Sequence, residues 1–446
     1  MKTLSQLALL VALTLGHQAL WAMDLSEAIA AAEKNDPALA SAQANRDAAF
    51  ENIAIARSKL LPQVNLQGSY DKMQYGVSQQ SPQGASVSNS YLINAYNNQI
   101  SLRQALYHPR DRIGMELGRQ QARYGDEKLA SARSDLWLRT TNAWLDVLVA
   151  AENQRIYEQT VETTATAADQ AQRRFQAGDG TRDAVIEAQA QHALAKSQWL
   201  EAGITLRARE LAFQNLTGQA PENLATGHLP SFEQIRVAVQ DKAELQQLVQ
   251  ETNPEILAAE AVWQVNQKRA EQAHADRLPS VDLMASKAWA QNDTVFTINQ
   301  TYTVLSAGVQ VSIPLYAGGG LVATQRQAEF SARSSEQDLR TEKLKRTNQV
   351  DNDWAATEAS MERARSAVML WEAAKEQRKA AEMGIGSGVR TWADVAQAEI
   401  LIARRGADRV SYAAEVLRAQ ARLLANLPVT ENVWEPWVAT VSVLSR

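Results

Sequence analysis

The run Leu305-Ser306-Ala307-Gly308-Val309-Gln310-Val311-Ser312-Ile313-Pro314-Leu315 decides how the chain folds. Its odd-numbered positions are all apolar, and Ser306, Gly308, Gln310 and Ser312 stand between them. Side chains of an extended strand point alternately to two faces, so the run predicts a strand with one greasy face and one small or polar face. Three more runs follow the same rule. Val64, Leu66 and Tyr70 alternate with Asn65, Gln67 and Ser69, and Val281, Leu283 and Ala285 with Asp282 and Ser286. Ile100 and Leu102 alternate less cleanly with Gln99, Ser101 and Arg103. The polar stretches Gly76 to Ser90 and Gln291-Asn292-Asp293 predict hairpin loops between paired strands.

Working outward, the chain is written twice. Asn35-Asp36-Pro37 recurs as Thr252-Asn253-Pro254, and Leu61-Pro62-Gln63-Val64-Asn65-Leu66 as Leu278-Pro279-Ser280-Val281-Asp282-Leu283, both at an offset of 217. Leu106-Tyr107 matches Leu315-Tyr316 at an offset of 209, so the first copy carries 8 additional residues, expected in its strand-to-strand loop. Phe175 to Gly178 aligns with Ile385 to Gly388. The division expected is a signal peptide at 1–22, a first repeat at 23–216, a linker at 217–240, a second repeat at 241–427 and a C-terminal tail at 428–446.

Each copy opens with an Ala-rich amphipathic helix, from about Leu25 to Leu60 and from Ala243 to Leu278. Proline disfavours helix in the residue before it, so Pro62 and Pro279 act as hinges between helix and strand. After its second strand each copy enters a very long helix, Asp111 to Gln176 and Leu321 to Met383. At ~1.5 Å per residue these span about 90 to 100 Å. Met115, Ala122, Leu129, Leu136, Ala143, Ala150 and Tyr157 form a seven-residue seam, which implies left-handed supercoiling against a neighbour. Val350, Thr357, Ala364 and Trp371 form a weaker one. Glycine-rich breaks at Gly178 to Gly180 and Gly384 to Gly388 turn the chain, and helices resume to Leu216 and Leu427 as antiparallel hairpins.

Composition bounds the function. Lys2, the apolar run Leu7 to Leu15 and Ala22 before Asp24 make a secretory signal, with Met23 as the expected first mature residue. No later stretch reaches the roughly 18 to 20 apolar residues of a spanning helix, so membrane insertion would have to use strands. Cysteine is absent, which excludes disulfides and thiolate metal sites. The net charge of −5 disfavours nucleic acid as a partner. His17 falls in the signal, and His108, His192, His228 and His274 show no paired metal spacing and are expected at the surface, so no metal or cofactor is implied. Gly318-Gly319-Gly320 follows a strand but lacks the Gly-Lys-Ser/Thr of a phosphate loop, and a strand-to-helix hinge explains it better. Trp137 and Trp144 are expected in seam packing, and Trp434, Pro436 and Trp437 in packing a tail against the helices.

Four strands with an apolar face cannot be left open in a membrane, and membrane barrels begin at about eight strands. Self-association supplies the rest. Three copies would give about twelve strands and an interior wide enough to conduct. The fold class expected is therefore mainly α with a membrane β-barrel, a homotrimer forming both a twelve-strand barrel and an α-helical barrel. A soluble periplasmic coiled-coil scaffold is the competing reading, and the clean face at Leu305 to Leu315 argues against it.

The order of elements, the Leu-Pro-x-Val joints at Pro62 and Pro279, and Gly388-Val389-Arg390-Thr391-Trp392-Ala393-Asp394-Val395 resemble the TolC-like outer-membrane factor family over nearly the whole mature chain. The resemblance implies a trimeric channel-tunnel in the outer membrane whose helices cross the periplasm. It implies docking to a periplasmic adaptor protein and an inner-membrane transporter, ABC or proton-driven, in type I protein secretion or drug efflux. Arg390 would then be a gate arginine and Asp394 an acid of the pore ring at the periplasmic entrance, with Gly178 and Gly388 as turn residues. Ile385 stands where the family has a gate tyrosine, Gln397 where it has a second ring aspartate, and Ala184 where the first copy has its aspartate. Asp183 or Asp179 would replace the missing partner. Without the resemblance, Arg390 and Asp394 are an ordinary solvated pair four apart on a helix.

Overall fold

The computed structural model describes residues 23–80, 84, 86–221, 232–235, 241–292, 300–429 and 434–444. The signal at 1–22 and most of the linker lie outside the described residues. The elements are α1 (Leu25–Asn35), α2 (Pro37–Ser58), β1 (Gln63–Gln80), β2 (Ser86–Tyr107), α3 (Pro109–Gln176), α4 (Arg182–Thr217), α5 (Lys242–Thr252), α6 (Pro254–Ala275), β3 (Ser280–Asn292), β4 (Thr301–Ser312), α7 (Gly320–Gly386), α8 (Trp392–Leu424) and α9 (Trp434–Leu444). They divide into two compact units. One holds Ala44–Glu127 and Leu257–Glu342, and the other holds the preceding segment to Gln43, Lys128–Ile256 and the chain from Lys343.

The first of these contains the sheet, with strand order β1-β2-β3-β4 and every neighbouring pair antiparallel. Leu66 is 72% exposed, Leu305 79% and Val309 61%, so the greasy face has no protein cover within one copy. The strands are longer than the alternation suggests. β1 runs to Gln80 and β2 begins at Ser86, so most of Gly76 to Ser90 is strand rather than loop. Gly76 pairs with Ser90 and Ser78 with Ser88 in an unbroken register. The additional residues of the first copy therefore lengthen its strands, not its loop. At the other end β4 stops at Ser312, leaving Ile313 and Leu315 beyond it. In the same unit α3 passes close to α2 because two glycines seven apart face it. A Cβ on Gly118 would meet the Asn52 carbonyl oxygen at 2.8 Å, and one on Gly125 the Ala49 Cβ at 2.8 Å.

Each opening helix is two helices. The breaks fall at Asp36 and Asn253, directly before Pro37 and Pro254, which start α2 and α6 without losing a donor that a helix would use. The second break caps both ways: Asn253 Oδ1 accepts from the Glu255 and Ile256 amides at 3.0 and 3.1 Å, while its Nδ2 donates to the Asn426 carbonyl at 2.7 Å. Asn35 Nδ2 likewise reaches the carbonyls of Asn215 and Leu216 at 3.3 and 3.2 Å.

The unit holding the helical hairpins has its core where α1, α3, α4, α8 and α9 meet, around Leu25, Trp144, Phe213, Leu417 and Trp434. Trp137 and Trp434 pack edge to face at 5.7 Å, Trp434 and Trp437 at 6.0 Å, and Trp437 Nε1 donates to Gln420 Oε1 at 2.9 Å. The tryptophan cluster thus packs the C-terminal tail against the helices, and the tail is itself a helix, α9. On α3 the seam positions Ala122, Leu136 and Ala150 are buried, and Met115, Leu129, Ala143 and Tyr157 only partly so. The seam of α7 is the better buried of the two. Val350, Thr357 and Ala364 are joined three residues on by Asp353, Ser360, Ala367, Ala374 and Ala381, all buried. The helix also runs on to Gly386, so Gly384 is helical and only the residues after Gly386 turn.

Candidate functional site at the helical turns

Two turns in the hairpin unit share one construction. Gly178 (φ 85°) and Gly388 (φ 73°) take the left-handed conformation that ends a helix, with their amides bonded to the Phe175 and Ile385 carbonyls at 3.1 Å. Thr181 and Thr391 then N-cap α4 and α8, their hydroxyls accepting from the amides of Ala184 at 3.3 Å and Asp394 at 3.2 Å. Trp392, Ala393, Val185, Ala188 and Ala171 pack together beneath, which sets the two turns side by side.

The turns differ three residues after the cap. Asp394 closes a reciprocal capping box, its Oδ2 accepting from the Thr391 amide at 2.6 Å and hydroxyl at 3.0 Å. Its other oxygen takes Arg390 Nη1 at 3.3 Å. The Thr391 amide first, then its hydroxyl and Arg390, hold the Asp394 carboxyl below the usual carboxylate range against the opposing effect of burial. Ala184 occupies the matching place in the first turn and can do none of this. The stem of Arg390 lies on Gly384, where a Cβ would meet its Cγ at 2.6 Å.

Arg390 and Asp179 line a common groove of about 400 Å³ with Arg174, Thr181 and Trp392. Among the described residues the ion pair of Arg390 is to Asp394, and Asp183 lines neither this groove nor the larger one. That second groove, about 620 Å³, runs along α7 and α8 and is lined by Arg390, Asp394, Gln397 and Arg404 among others. Above it lies a link the sequence did not suggest. Arg378 on α7 contacts Glu382 at 2.7 Å and Glu399 of α8 at 3.1 Å, and burial pushes the Glu399 carboxyl up. The spacing of Arg378 to Glu382 was visible, whereas Glu399 lies across the turn and gave no local signal.

Pro62 and Pro279 stand immediately before β1 and β3. At the strand-to-helix joint of the first copy His108 is nearly buried between Asp111 and Asp282, each at 3.1 Å, and is not the surface residue expected. Its Nε2 is close to Asp282 without hydrogen-bond alignment. His192 is also partly buried, with Nδ1 at 3.3 Å from Thr164 Oγ1, while His274 is exposed. No group of acids and histidines suited to a metal occurs among the described residues.

A family model described as outer membrane efflux protein matches residues 28–219 and 245–427. The chain is 30% identical to outer membrane protein TolC of Vibrio cholerae over 404 residues, 89% of each chain. It is 27% identical to alkaline protease secretion protein AprF of Pseudomonas aeruginosa over 380 residues, 85% of this chain and 79% of that one. In fold it is similar to CusC, with a TM-score of 0.76 at 16% identity over 91% and 93% of the chains. The outer-membrane protein VceC of Vibrio cholerae gives 0.73 at 16% identity over 90% and 95%. An open antiparallel sheet with an uncovered apolar face, combined with duplicated helical hairpins, defines the class: a channel protein of the bacterial outer membrane with a helical part in the periplasm. The chain belongs to the outer membrane efflux protein family and is a TolC-like export channel component.

Proposed function

We propose that three copies close their four-stranded sheets into one twelve-strand barrel and act as a passive duct, without catalysis, for a transporter in the inner membrane. The observation that carries this is the sheet itself. β1 and β4 each have a strand partner on one side only, and the face bearing Leu66, Leu305 and Val309 is bare. Unpaired edges are not tolerated in hydrocarbon, and lipid is the solvent that suits the bare face. The duct lowers the barrier to export by replacing lipid with water, and energy comes from the transporter, reached through a periplasmic adaptor. We assign the cargo to protein secretion, because AprF and the proteases secretion protein PrtF of Dickeya chrysanthemi are named for it. Arg390 and Asp394, with Asp179 across the groove, form the closing contacts of the periplasmic entrance, and Asp183 stays solvated. Purified protein in a planar bilayer should conduct, and its detergent-corrected mass should be three chains. A non-conducting monomer recovered from the soluble periplasm would return the reading to the coiled-coil scaffold. Co-purification with an ABC transporter and its adaptor after crosslinking would support secretion, and a proton-driven partner would replace it with efflux.

A further inference from the structure

The first hairpin outgrows the rest of the sheet, and its two faces exchange character where it does so. Among the described residues β2 pairs with β3 from Ala95 to Tyr107, so residues 86–94 pair with β1 alone. At ~3.3 Å per residue that free end is about 30 Å long. The helices join the opposite ends of these strands, at Gln63 and Tyr107. With the helical part in the periplasm, the free end points out of the cell.

Below the free end the strands read as membrane strands, with Leu66 and Tyr70 on one face of β1 and Gln67 and Ser69 on the other. Beyond it the faces reverse. The face of Leu66 continues as Lys72, Gln74 and Ser78, and Gln74 Nε2 donates to Ser90 Oγ at 2.8 Å across the strands. Leu92 is the apolar exception there. The face of Gln67 continues as Met73, Tyr75 and Val77, with Met73 paired to Ile93 and Tyr75 to Tyr91. Asn89, opposite Val77, is its polar exception. Ile93 is 5% exposed, but Met73 is 38% and Tyr75 53%. β4 changes in the same sense, Gln310 and Ser306 giving way to the half-exposed Val304 and Tyr302.

In the barrel proposed above Leu66 meets lipid, so the face of Gln67 and Tyr75 looks toward the barrel axis. From Gln63 to Asp71 a strand tilted by ~40° rises about 20 to 25 Å, which matches the ~25 Å apolar band of such barrels. The faces therefore reverse where lipid ends. An apolar face in water calls for a cover, and a free strand edge in water is ordinarily blunted by charge. Here no charge is supplied: from Met73 to Leu102 the sequence has no Asp, Glu, Lys, Arg or His. Three identical hairpins thus carry no like charges that would hold them apart on the axis.

We propose that the free ends of the first hairpin in three copies lean together over the outer mouth of the barrel, Met73 and Tyr75 innermost, as an apolar lid. The occupant of each inward face is the same hairpin of the other copies. The lid bars water and small polar solutes from entering the duct from outside, and cargo arriving from the periplasm parts hairpins that no third strand holds. It gives the additional residues of the first copy a task, and it rests on the proposed three-copy barrel.

The chain has no cysteine, so introduced cysteines report without background. Tyr75→Cys should join two copies through a disulfide on mild oxidation, while Gln74→Cys, one residue away on the outer face, should not. Ser306→Cys, on the inner face of β4, should react slowly with a charged, membrane-impermeant maleimide added to intact cells. Adding Met73→Ser and Tyr75→Ser should speed that labelling severalfold. In a protein that runs as three chains, either a Tyr75→Cys yield no higher than that of Gln74→Cys or labelling at 306 that the two serines leave unchanged overturns the lid and leaves the barrel standing. A protein that runs as one chain overturns both.

Discussion

The two turns of the hairpin unit are built on one plan and stiffened to different degrees. Both end a helix on a left-handed glycine and restart on a threonine cap, so the reversal itself needs only Gly178 and Thr181, or Gly388 and Thr391. The second turn alone adds Asp394, which returns two bonds to Thr391 and takes a third from Arg390. Duplication supplied the fold of the turn twice, and the charged capping box was placed on one copy. In the duct proposed above the entrance must be able to close, and asymmetry of this kind would allow one turn to hold while the other yields.

The comparison breaks most visibly in conductance. Arg390→Ala removes the cation paired with Asp394 and leaves both turns folded, so a planar bilayer should show severalfold higher conductance than the parent. Arg174→Ala, in the groove on the other turn but without an ion pair to Asp394, should change it far less. Equal conductance for Arg390→Ala and the parent would remove the gate.

Next in size are the glycines. Neither Gly178 nor Gly388 has an atom within 4 Å of where a Cβ would stand, so alanine there is opposed by backbone strain alone. Each substitution should destabilise its turn by about 1 to 2 kcal/mol, read as faster amide exchange in the flanking helix ends. The two values should agree, because this is the part of the turn the copies share. A smaller difference should separate the caps. Thr181→Ala loses one bond at about 1 kcal/mol, while Thr391→Ala also removes the hydroxyl that Asp394 accepts from and should cost more.

The sequence carried the plan better than its details, for physical reasons that differ by place. Strand alternation was legible where one face is greasy, as at Val309 and Val311. It was not legible from Gly76 to Ser90, where Ser78, Asn89 and Ser90 give polar residues on both faces and hydrophobic contrast vanishes. The breaks at Asp36 and Asn253 carried their prolines openly, yet the Ala-rich text on either side suggested one continuous helix. The α7 seam was undervalued because its buried positions are Ser360, Ala367, Ala374 and Ala381, whose small side chains pack closely without a hydrophobic signal. Arg390 beside Asp394 was legible from spacing, but the capping box that fixes Asp394 depends on backbone geometry, and Glu399 meets Arg378 only because the turn folds one helix onto the other.

The smallest effect is the one that isolates the asymmetry. Asp394 titrates below its ordinary range because its ionised form is bonded to Thr391 and Arg390. A carboxyl with a lowered folded-state value stabilises the fold above its unfolded value, and that contribution is lost as pH falls through the folded one. Protection factors for the first turn of α8 should therefore decline below about pH 4, the usual aspartate range, and by more than those for the first turn of α4, where Ala184 offers no carboxylate to the cap. Ala184→Asp should transplant the behaviour. With Thr181 already in place as cap, an aspartate at 184 can close the same box and meet the helix N-terminus, adding about 0.3 to 1 kcal/mol at neutral pH and making the first turn acid-sensitive in turn. If the grafted turn gains the stability and the pH dependence but conductance is unchanged, the box is a stiffener and closing belongs to Arg390. If conductance falls with it, stiffness of the turn is itself what keeps the entrance shut.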